Sequence, residues 1–520
     1  MSTELNILAL PSEILSEICD KLPLADRKTL SEVCRRFEEV AFQPGAANKG
    51  VLWLSTIITK TDTYGNTTTN MTVMDRAILE QSKRAYRVIG IELPKQLQPE
   101  LAQQLMQLVS LLLQNTPAIK ELHVVDSHAL QIIQLAECMP ALFDNLERLT
   151  VFVEGETSAV VQTAVLRMPR LVHLEWRYVA VSEKYVGLSQ PAILLHAPKL
   201  QHAKFGRLCN CSGVKFRCLV QMETVSELRY LEIAVREENV NMLATNQLPN
   251  LERLCFFMSP YEYVRKTDWN RIARNMPNLK QVELNQEDEF PSVNRLLQPV
   301  LEHCSNLQVL RLDDIDITDA ITCNNWWQSL EYLHLQDCLA SVPTGQRLVL
   351  KLNNLRKLCL TLTPKRGGGS LVLEAPKLQE LTFSNADQNL DIADTPELTT
   401  LFLRVPQCKF LRFLDQPLPK LRRIIIDTPR HISNEELLLY KRAIKAGANV
   451  QRLTLYCRSG EAAKHIMDDV IATMRSLKTI AIVGLGNTAN IKAETLSNLF
   501  RLPQLQVTIL CGSCWRLFAN

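Results

Sequence analysis

A short motif recurs along most of the chain and limits what it can fold into. From about residue 117, a proline is often followed by an apolar residue, with further apolar residues three and five positions later. Successive copies start 20 to 29 positions apart, and none could bury its apolar side chains alone, so the copies must stack on one another. The first apolar residues, called anchors below, are Ile119, Leu146, Leu171, Leu200, Leu228, Leu251, Leu279, Leu307, Leu330, Leu355, Leu378, Leu398, Leu421, Val450, Leu477 and Leu505.

These copies resemble leucine-rich repeats, in which each unit contributes one short strand to a parallel sheet. Where the gap between anchors is long, we expect a helix in the returning segment. Residues 129–138 and 435–446 carry apolar residues at helical spacing and predict two such helices. The shortest gap, between residues 378 and 398, predicts a loop instead.

Residues 45–116 depart from this repeat. Residues 51–58 and 86–93 predict strands, residues 99–115 predict a helix, and the threonine-rich residues 59–72 predict an exposed loop. We interpret residues 45–116 as a linker and divergent capping unit that precedes a solenoid at residues 117–520.

The first forty residues predict a small helical domain. A first amphipathic helix carries Ile14, Leu15 and Ile18 on one face, Pro23 ends it, and Asp26 is placed to cap a second helix. Two or three short helices have too little interior to hide all of their apolar side chains. Part of that surface must therefore face another body.

This segment resembles the F-box, with Leu-Pro, Glu-Ile-Leu, a later Leu, an acidic-basic pair at Asp26 and Arg27, and Val-Cys-Arg followed by an aromatic. Phe37 stands where many members have tryptophan, so that anchor is smaller. The resemblance implies that residues 1–44 form an F-box that docks on a Skp-type adaptor and, through it, on a cullin. The adaptor-binding residues that it implies are Leu10, Pro11, Ile14, Leu15, Ile18, Leu22, Leu30, Val33, Cys34 and Phe37.

The two resemblances together imply an α/β protein, with a small all-helical F-box followed by a leucine-rich-repeat solenoid whose parallel sheet forms a horseshoe. They imply the substrate-recognition subunit of an SCF-type ubiquitin ligase, not itself an enzyme, that holds a target protein on the repeats. Three alternatives stay open. Residues 8–42 could be a helical cap docked on the rest of the chain, the chain could be an interaction scaffold without a role in ubiquitination, or it could be an enzyme whose site escapes notice.

Composition excludes several other classes of protein. Lys plus Arg number 58 against 55 for Asp plus Glu, too even a balance for nucleic-acid binding. The most apolar window, residues 105–113, is about half the ~20 residues that a membrane span needs. The start carries an acid where a signal peptide would be positive, and the 15 cysteines are irregularly spaced. We expect a soluble intracellular protein of the cytoplasm, the nucleus or both, with its thiols reduced.

No motif in the sequence points to catalysis, a cofactor or a metal. Cys511 and Cys514 have redox or metal spacing but lack a second pair, and Cys209 and Cys211 are a poor metal hairpin. Residues 365–370 place the lysine before the glycines, which is the wrong order for a phosphate-binding loop. We therefore expect no catalytic residue, cofactor or metal ligand.

The residues two, four and six positions after each anchor should face away from the buried ones. On three successive strands this rule brings together a basic and aromatic patch, of a composition that suits interface hot spots and acidic or phosphorylated segments. A second patch is expected at the strands after Leu228 and Leu251. The target-binding residues so predicted are Phe402, Arg404, Arg423, Arg452 and Tyr456 in the first patch, and Tyr230, Arg253 and Phe257 in the second.

Overall fold

The structure is a computed structural model of the 520-residue chain. The residues that it describes are 14–15, 18, 30, 33, 51–55, 58–61, 67–70, 88–93, 107, 110–111, 119–126, 131–153, 164–178, 192–207, 219–222, 225–234, 237–258, 268–286, 294–322, 326–340, 342–364, 369–384, 390–393, 395–404, 411–428, 432–457, 460–484 and 505–511. They form two compact units, Met1–Leu251 and Glu252–Asn520.

The first unit is built on a parallel sheet in the order β1-β4-β5-β6-β8-β10-β12. Three further strands pair in the order β7-β9-β11, and β2 with β3 forms an antiparallel hairpin. The bounds are β1 Val51–Ser55, β2 Ile58–Thr61, β3 Thr67–Asn70, β4 Val88–Leu93, β5 Glu121–Asp126, α1 Gln131–Cys138, α2 Pro140–Asn145, β6 Arg148–Val153, β7 Ala164–Arg167, β8 His173–Tyr178, β9 Ala192–His196, β10 His202–Arg207, β11 Leu219–Met222, β12 Tyr230–Ala234 and α3 Glu237–Thr245.

The second unit has a parallel sheet in the order β13-β14-β15-β16-β18-β20-β22-β23-β24-β25-β26 and a smaller one in the order β17-β19-β21. The bounds are β13 Arg253–Met258, α4 Trp269–Arg274, β14 Gln281–Gln286, α5 Asn294–His303, β15 Val309–Asp313, α6 Thr318–Thr322, a 3-10 helix Trp326–Ser329, β16 Tyr332–Ala340, β17 Arg347–Lys351, β18 Lys357–Pro364, β19 Ser370–Glu374, β20 Glu380–Ser384, β21 Leu390–Ile392, β22 Thr400–Arg404, a 3-10 helix Arg412–Asp415, β23 Arg423–Asp427, α7 Asn434–Ala446, β24 Arg452–Cys457, α8 Gly460–Thr473, β25 Thr479–Gly484 and β26 Gln506–Cys511.

The anchors predicted from the repeat form the core of both units. Fifteen of them, from Ile119 to Leu477, are buried, and Leu505 is half-buried. The residues three and five positions after each buried anchor are buried as well, for example Leu333 and Leu335 after Leu330. Each strand therefore turns two side chains inward, where they stack on the equivalent residues of the neighbouring strands.

A tight turn ahead of each strand explains why proline recurs in the motif. The N–H of Leu171 donates to the carbonyl of Met168 at 3.2 Å, and Leu251 bonds to Leu248 in the same way at 3.2 Å. The intervening prolines, Pro169 and Pro249, occupy the second position of these four-residue turns. The fixed φ of proline is suited to that position.

The backbone then steps from one repeat to the next. The N–H groups of Glu147 and Arg148 both donate to the carbonyl of Lys120, at 2.8 and 3.0 Å. The same pair of bonds joins Lys357 and Arg356 to Glu331, at 3.0 and 2.8 Å. Because each step uses the same backbone atoms, the strands stay in one register and equivalent residues lie side by side.

The two helices predicted in long gaps are confirmed. Residues 129–138 contain α1, and residues 435–446 fall within α7. Ser433 begins α7 with a capping box, since its hydroxyl accepts from the Glu436 N–H at 3.2 Å and the Glu436 carboxylate accepts from the Ser433 N–H at 2.7 Å. The predicted strands at residues 51–58 and 86–93 are present as β1 and β4, and Gln107, Ser110 and Leu111 are helical.

Two predictions about loops were wrong. The threonine-rich residues 59–72 lie largely in the β2–β3 hairpin, because β-branched residues favour extended backbone and can pair across it. The short gap between residues 378 and 398 contains β21, which pairs with β19. With only 20 residues between anchors, this return has no room for a long helix but can add a short strand.

A row of aromatic rings lies on the outward face of the first unit's sheet. His173, His202 and Tyr230 are the first residues of three neighbouring strands, with ring centroids 5.6 Å and 6.2 Å apart. Burial, Arg148 and the neighbouring His202 lower the pKa of His173 to about 4. His202 has a lowered pKa for the same first cause, burial. Both rings are neutral at pH 7.

Low pH should lower the stability of the first unit through these histidine rings. Between about pH 6.5 and 4 the unfolded chain binds a proton at His173 that the folded chain does not, so the free energy of unfolding falls as the pH falls. Between pH 7 and 5 the parent should lose free energy of unfolding. After allowance for partial exposure, we expect His173→Gln to reduce that loss by about 1 kcal/mol. Urea titrations at several pH values measure it, and parallel pH dependences for parent and variant would contradict it.

The buried rows should dominate stability of the second unit. Leu333→Ala removes a fully buried side chain and should lower the free energy of unfolding by about 2 to 5 kcal/mol. Leu438→Ala deletes the same atoms from a side chain that is 60% exposed on α7 and should cost less than about 1 kcal/mol. Chemical denaturation followed by circular dichroism compares the two, and equal losses would show that the row is not the core.

Candidate protein-binding surfaces

The first predicted patch lies on three adjacent strands, β22, β23 and β24. Their register places Arg423 between Thr400 and Arg452, and Asp427 between Arg404 and Tyr456. The sheet therefore brings together all five predicted residues of this patch, in three rows that run across the strands. Arg423 with Arg452 and Arg404 with Tyr456 lie in the two outer rows, and Phe402 lies in the middle row.

One end of the patch is neutralised internally. The Arg404 Nε lies 3.3 Å from Oδ2 of Asp427, whose side chain is largely buried. The Tyr440 hydroxyl of α7 donates to the backbone carbonyl of Asp427 at 3.3 Å and holds this strand end in place. Arg404 is thus fixed by its own sheet and has less charge to offer a partner.

The other end of the patch is not neutralised. Arg423 and Arg452 are both exposed, and they are register partners on neighbouring strands, which lie about 4.8 Å apart. Among the described residues, no carboxylate pairs with either guanidinium and none accepts a hydrogen bond from it. Within the described parts of the chain, these two arginines thus stand side by side without a compensating acid.

The middle row of the patch is apolar at its centre. Phe402 and Ile425 are register partners and half-buried, and Thr454 continues the row on β24. The sequence-based patch contained Phe402 but not Ile425, although both stand four positions after their anchors. This apolar row lies between Arg423 and Arg452 on one side and Arg404 and Tyr456 on the other.

Elsewhere on the second unit's sheet, charges compensate one another. Glu283 lies 2.8 Å from the Arg253 guanidinium and 3.2 Å from that of Arg311. Lys357 pairs with Glu380 at 2.8 Å, and Tyr332 receives the cations of Arg311 and Lys357 over its ring at 5.2 and 5.5 Å. This network was not predicted, although Glu283 and Arg311 stand at equal positions after successive anchors, as do Lys357 and Glu380.

The two residues of the second predicted patch whose side chains are described, Tyr230 and Arg253, belong to different units. Tyr230 belongs to the first unit, where its hydroxyl donates to Glu232 at 2.5 Å and Lys204 lies 5.5 Å from its ring centroid. Arg253 belongs to the second unit and pairs with Glu283. The side chain of Phe257 lies outside the described residues. Tyr230 and Arg253 are each engaged by their own unit.

Five residues of the predicted adaptor-binding set are described, and all five are helical. Ile14 is 44% exposed and Val33 is 68% exposed, whereas Leu15 is fully buried. Ile18 and Leu30 are intermediate. Leu15 is therefore covered within the chain, whereas Ile14 and Val33 lie on its surface. Leu10, Pro11, Leu22, Cys34 and Phe37 lie outside the described residues.

The described cysteines favour structural roles over chemistry. Burial raises the pKa of the Cys304, Cys338 and Cys457 thiols to about 12, so they are protonated at neutral pH. Within the described ranges, no three His, Cys, Asp or Glu side chains lie close enough together to hold a metal ion. None of the helices in the same ranges has the length and apolarity that a bilayer crossing requires.

Comparison with known proteins bears on the N-terminal segment. No curated protein was found to match the chain. Residues 7–46, which include the exposed Ile14 and Val33, match the F-box-like family. The chain therefore carries an F-box-like domain ahead of its parallel-strand repeats.

Proposed function

We propose that the chain is the substrate-recognition subunit of an SCF-type ubiquitin ligase. The F-box-like domain would dock on a Skp-type adaptor, and through it on a cullin, while the repeats hold a target protein. The observation that carries this proposal is the F-box-like match at residues 7–46, where Ile14 and Val33 expose apolar surface. Exposed apolar side chains in a small helical domain favour a protein partner.

Such a subunit needs no reactive group of its own. Tethering a target beside a charged conjugating enzyme raises its effective concentration, so transfer becomes nearly intramolecular. The subunit must then supply affinity and a rigid surface. The stacked strands supply rigidity, because each is bonded to its neighbours in a constant register. We therefore propose that the chain is not an enzyme.

Adaptor capture should depend on the exposed apolar residues of the F-box-like domain. Ile14→Asp with Val33→Asp places two carboxylates where the adaptor would bury apolar side chains, and burying an unpaired charge costs several kcal/mol. We expect at least about a tenfold loss of adaptor bound in a pull-down with purified adaptor. Because both side chains are surface residues in the free chain, the domain should stay folded.

A matched control uses exposed apolar residues elsewhere. Val165 is 50% exposed on β7 and Leu438 is 60% exposed on α7, so Val165→Asp with Leu438→Asp makes the same chemical change outside the F-box-like domain. This control should capture adaptor like the parent. Undiminished capture by the Ile14 and Val33 variant would overturn the docking surface. Adaptor capture without cullin would favour a scaffold with no role in ubiquitination.

A further inference from the structure

The strand face of β20 to β25 has an uneven balance of charge. Its described carboxylates are Glu380 and Asp427, and each is already paired, Glu380 with Lys357 at 2.8 Å and Asp427 with Arg404 at 3.3 Å. Among the described residues of these strands, no further acid is left to meet Arg423 and Arg452. The positive charge of these two arginines is therefore available to a partner.

Two described carboxylates in the segments between these strands are engaged as well. Glu397 accepts from Lys420 at 2.6 Å, and Asp415 pairs with Arg442 of α7. Neither acid can turn to the two arginines without breaking an existing ion pair. The excess charge is thus built into the arrangement of the sheet and does not depend on one side-chain rotamer.

Two like charges as register partners destabilise a sheet when nothing lies between them. An anionic side chain placed between the guanidinium groups would remove that repulsion and accept charge-assisted hydrogen bonds from both. Such bonds are roughly twice as strong as neutral ones. The pair therefore suits one carboxylate or one phosphate monoester better than either arginine would alone.

The apolar row lies one step along the same strands. Phe402 and Ile425 stand two residues beyond Thr400 and Arg423, a distance of about 6.7 Å in extended backbone. An extended peptide has a similar two-residue spacing. An anionic side chain at the arginines and an apolar side chain over Phe402 and Ile425 can therefore belong to one segment.

We propose that the strand face of β22 to β24 binds an extended acidic segment, with an anionic side chain between Arg423 and Arg452 and an apolar one over Phe402 and Ile425. That this segment belongs to the ubiquitination target rests on the proposed function. Carboxylate and phosphate share the required charge, so the test includes both. Arg404 contributes less, because Asp427 already holds it.

The test uses the full-length chain and four fluorescein-labelled peptides on one Gly-Ser scaffold. Their central residues are Glu-Gly-Leu, phosphoserine-Gly-Leu, Gln-Gly-Leu and Glu-Gly-Gln, which place the anion and the apolar side chain two residues apart on one face of an extended peptide. Fluorescence polarisation at low salt should rank both anionic leucine peptides at least about tenfold tighter than Gln-Gly-Leu, since screening is weak there. Glu-Gly-Gln should bind more weakly than Glu-Gly-Leu. Tighter binding of the phosphoserine peptide would identify phosphate as the preferred anion, and equal binding would identify charge alone.

The informative variant is Arg423→Gln with Arg452→Gln, which should weaken binding of both anionic leucine peptides about tenfold or more and leave that of Gln-Gly-Leu unchanged. Arg271→Gln with Arg274→Gln removes the same charge from exposed positions on α4 and should leave every affinity as in the parent. Equal weakening by both variants would mean that net charge alone attracts the peptides. That result, or the absence of binding by either anionic leucine peptide, would overturn the proposal.

The two proposals can fail separately. If the Arg423 and Arg452 variant loses acidic peptides while the parent chain captures no adaptor, the peptide surface stands and the ligase role fails. If the parent captures adaptor and cullin but the anionic leucine peptides bind to it no better than Gln-Gly-Leu, the ligase role stands and this surface is not the target site. Circular dichroism of each variant should match the parent, because all four arginines are exposed.

Discussion

The structure depends on one backbone constraint, the step that carries each strand of a sheet to the next. Two N–H groups at the start of a strand donate to one carbonyl of the previous repeat, and a turn ahead of them buries the anchor. Once these atoms are fixed, the alternation of side chains along a strand decides which residues are buried. A slip of one residue would turn Leu333 and Leu335 outward and expose the core.

The same constraint decides which surface charges meet. Because register is constant, Arg404 faces Asp427 and Arg423 faces Arg452, although each pair is more than twenty residues apart in sequence. The first pairing satisfies both charges, and the second leaves two cations together. A fold held by apolar stacking can tolerate that local repulsion, since buried leucines contribute far more than exposed charges. Binding function can therefore be placed on the outward rows without loss of the core.

The sequence predicted the parts of this fold that follow from periodicity. Burial imposes a period of two in strands and 3.6 in helices. The sequence therefore predicted the anchors, the inward alternation of strand residues and the helices α1 and α7. The same alternation predicted that one surface carries Phe402, Arg404, Arg423, Arg452 and Tyr456. The β2–β3 hairpin and β21 were missed, because short or polar strands carry little apolar alternation.

Ion pairs and hydrogen bonds between side chains were harder to predict from the sequence. Equal positions after successive anchors align Arg404 with Asp427 and Glu283 with Arg311, but they do not show which aligned groups form ion pairs. That choice depends on rotamers across several strands, and Glu283 also reaches Arg253. In the second predicted patch, for example, the sequence did not show that Tyr230 engages Glu232 or that Arg253 engages Glu283. Counting residue types on a face overstates the binding capacity of that face unless internal pairs are subtracted.

The two surfaces proposed for binding differ in chemistry. The F-box-like domain presents Ile14 and Val33, whose burial would remove apolar area from water, whereas β23 and β24 present uncompensated arginines. Salt screens exposed charges over about 10 Å at 0.1 M but has little effect on apolar burial at that concentration. One chain can thus hold an adaptor through contacts that are insensitive to ionic strength while it exchanges acidic segments through contacts that are sensitive to it. Such a division keeps capture of one partner from depending on the affinity for the other, because neither interaction uses residues of the other surface.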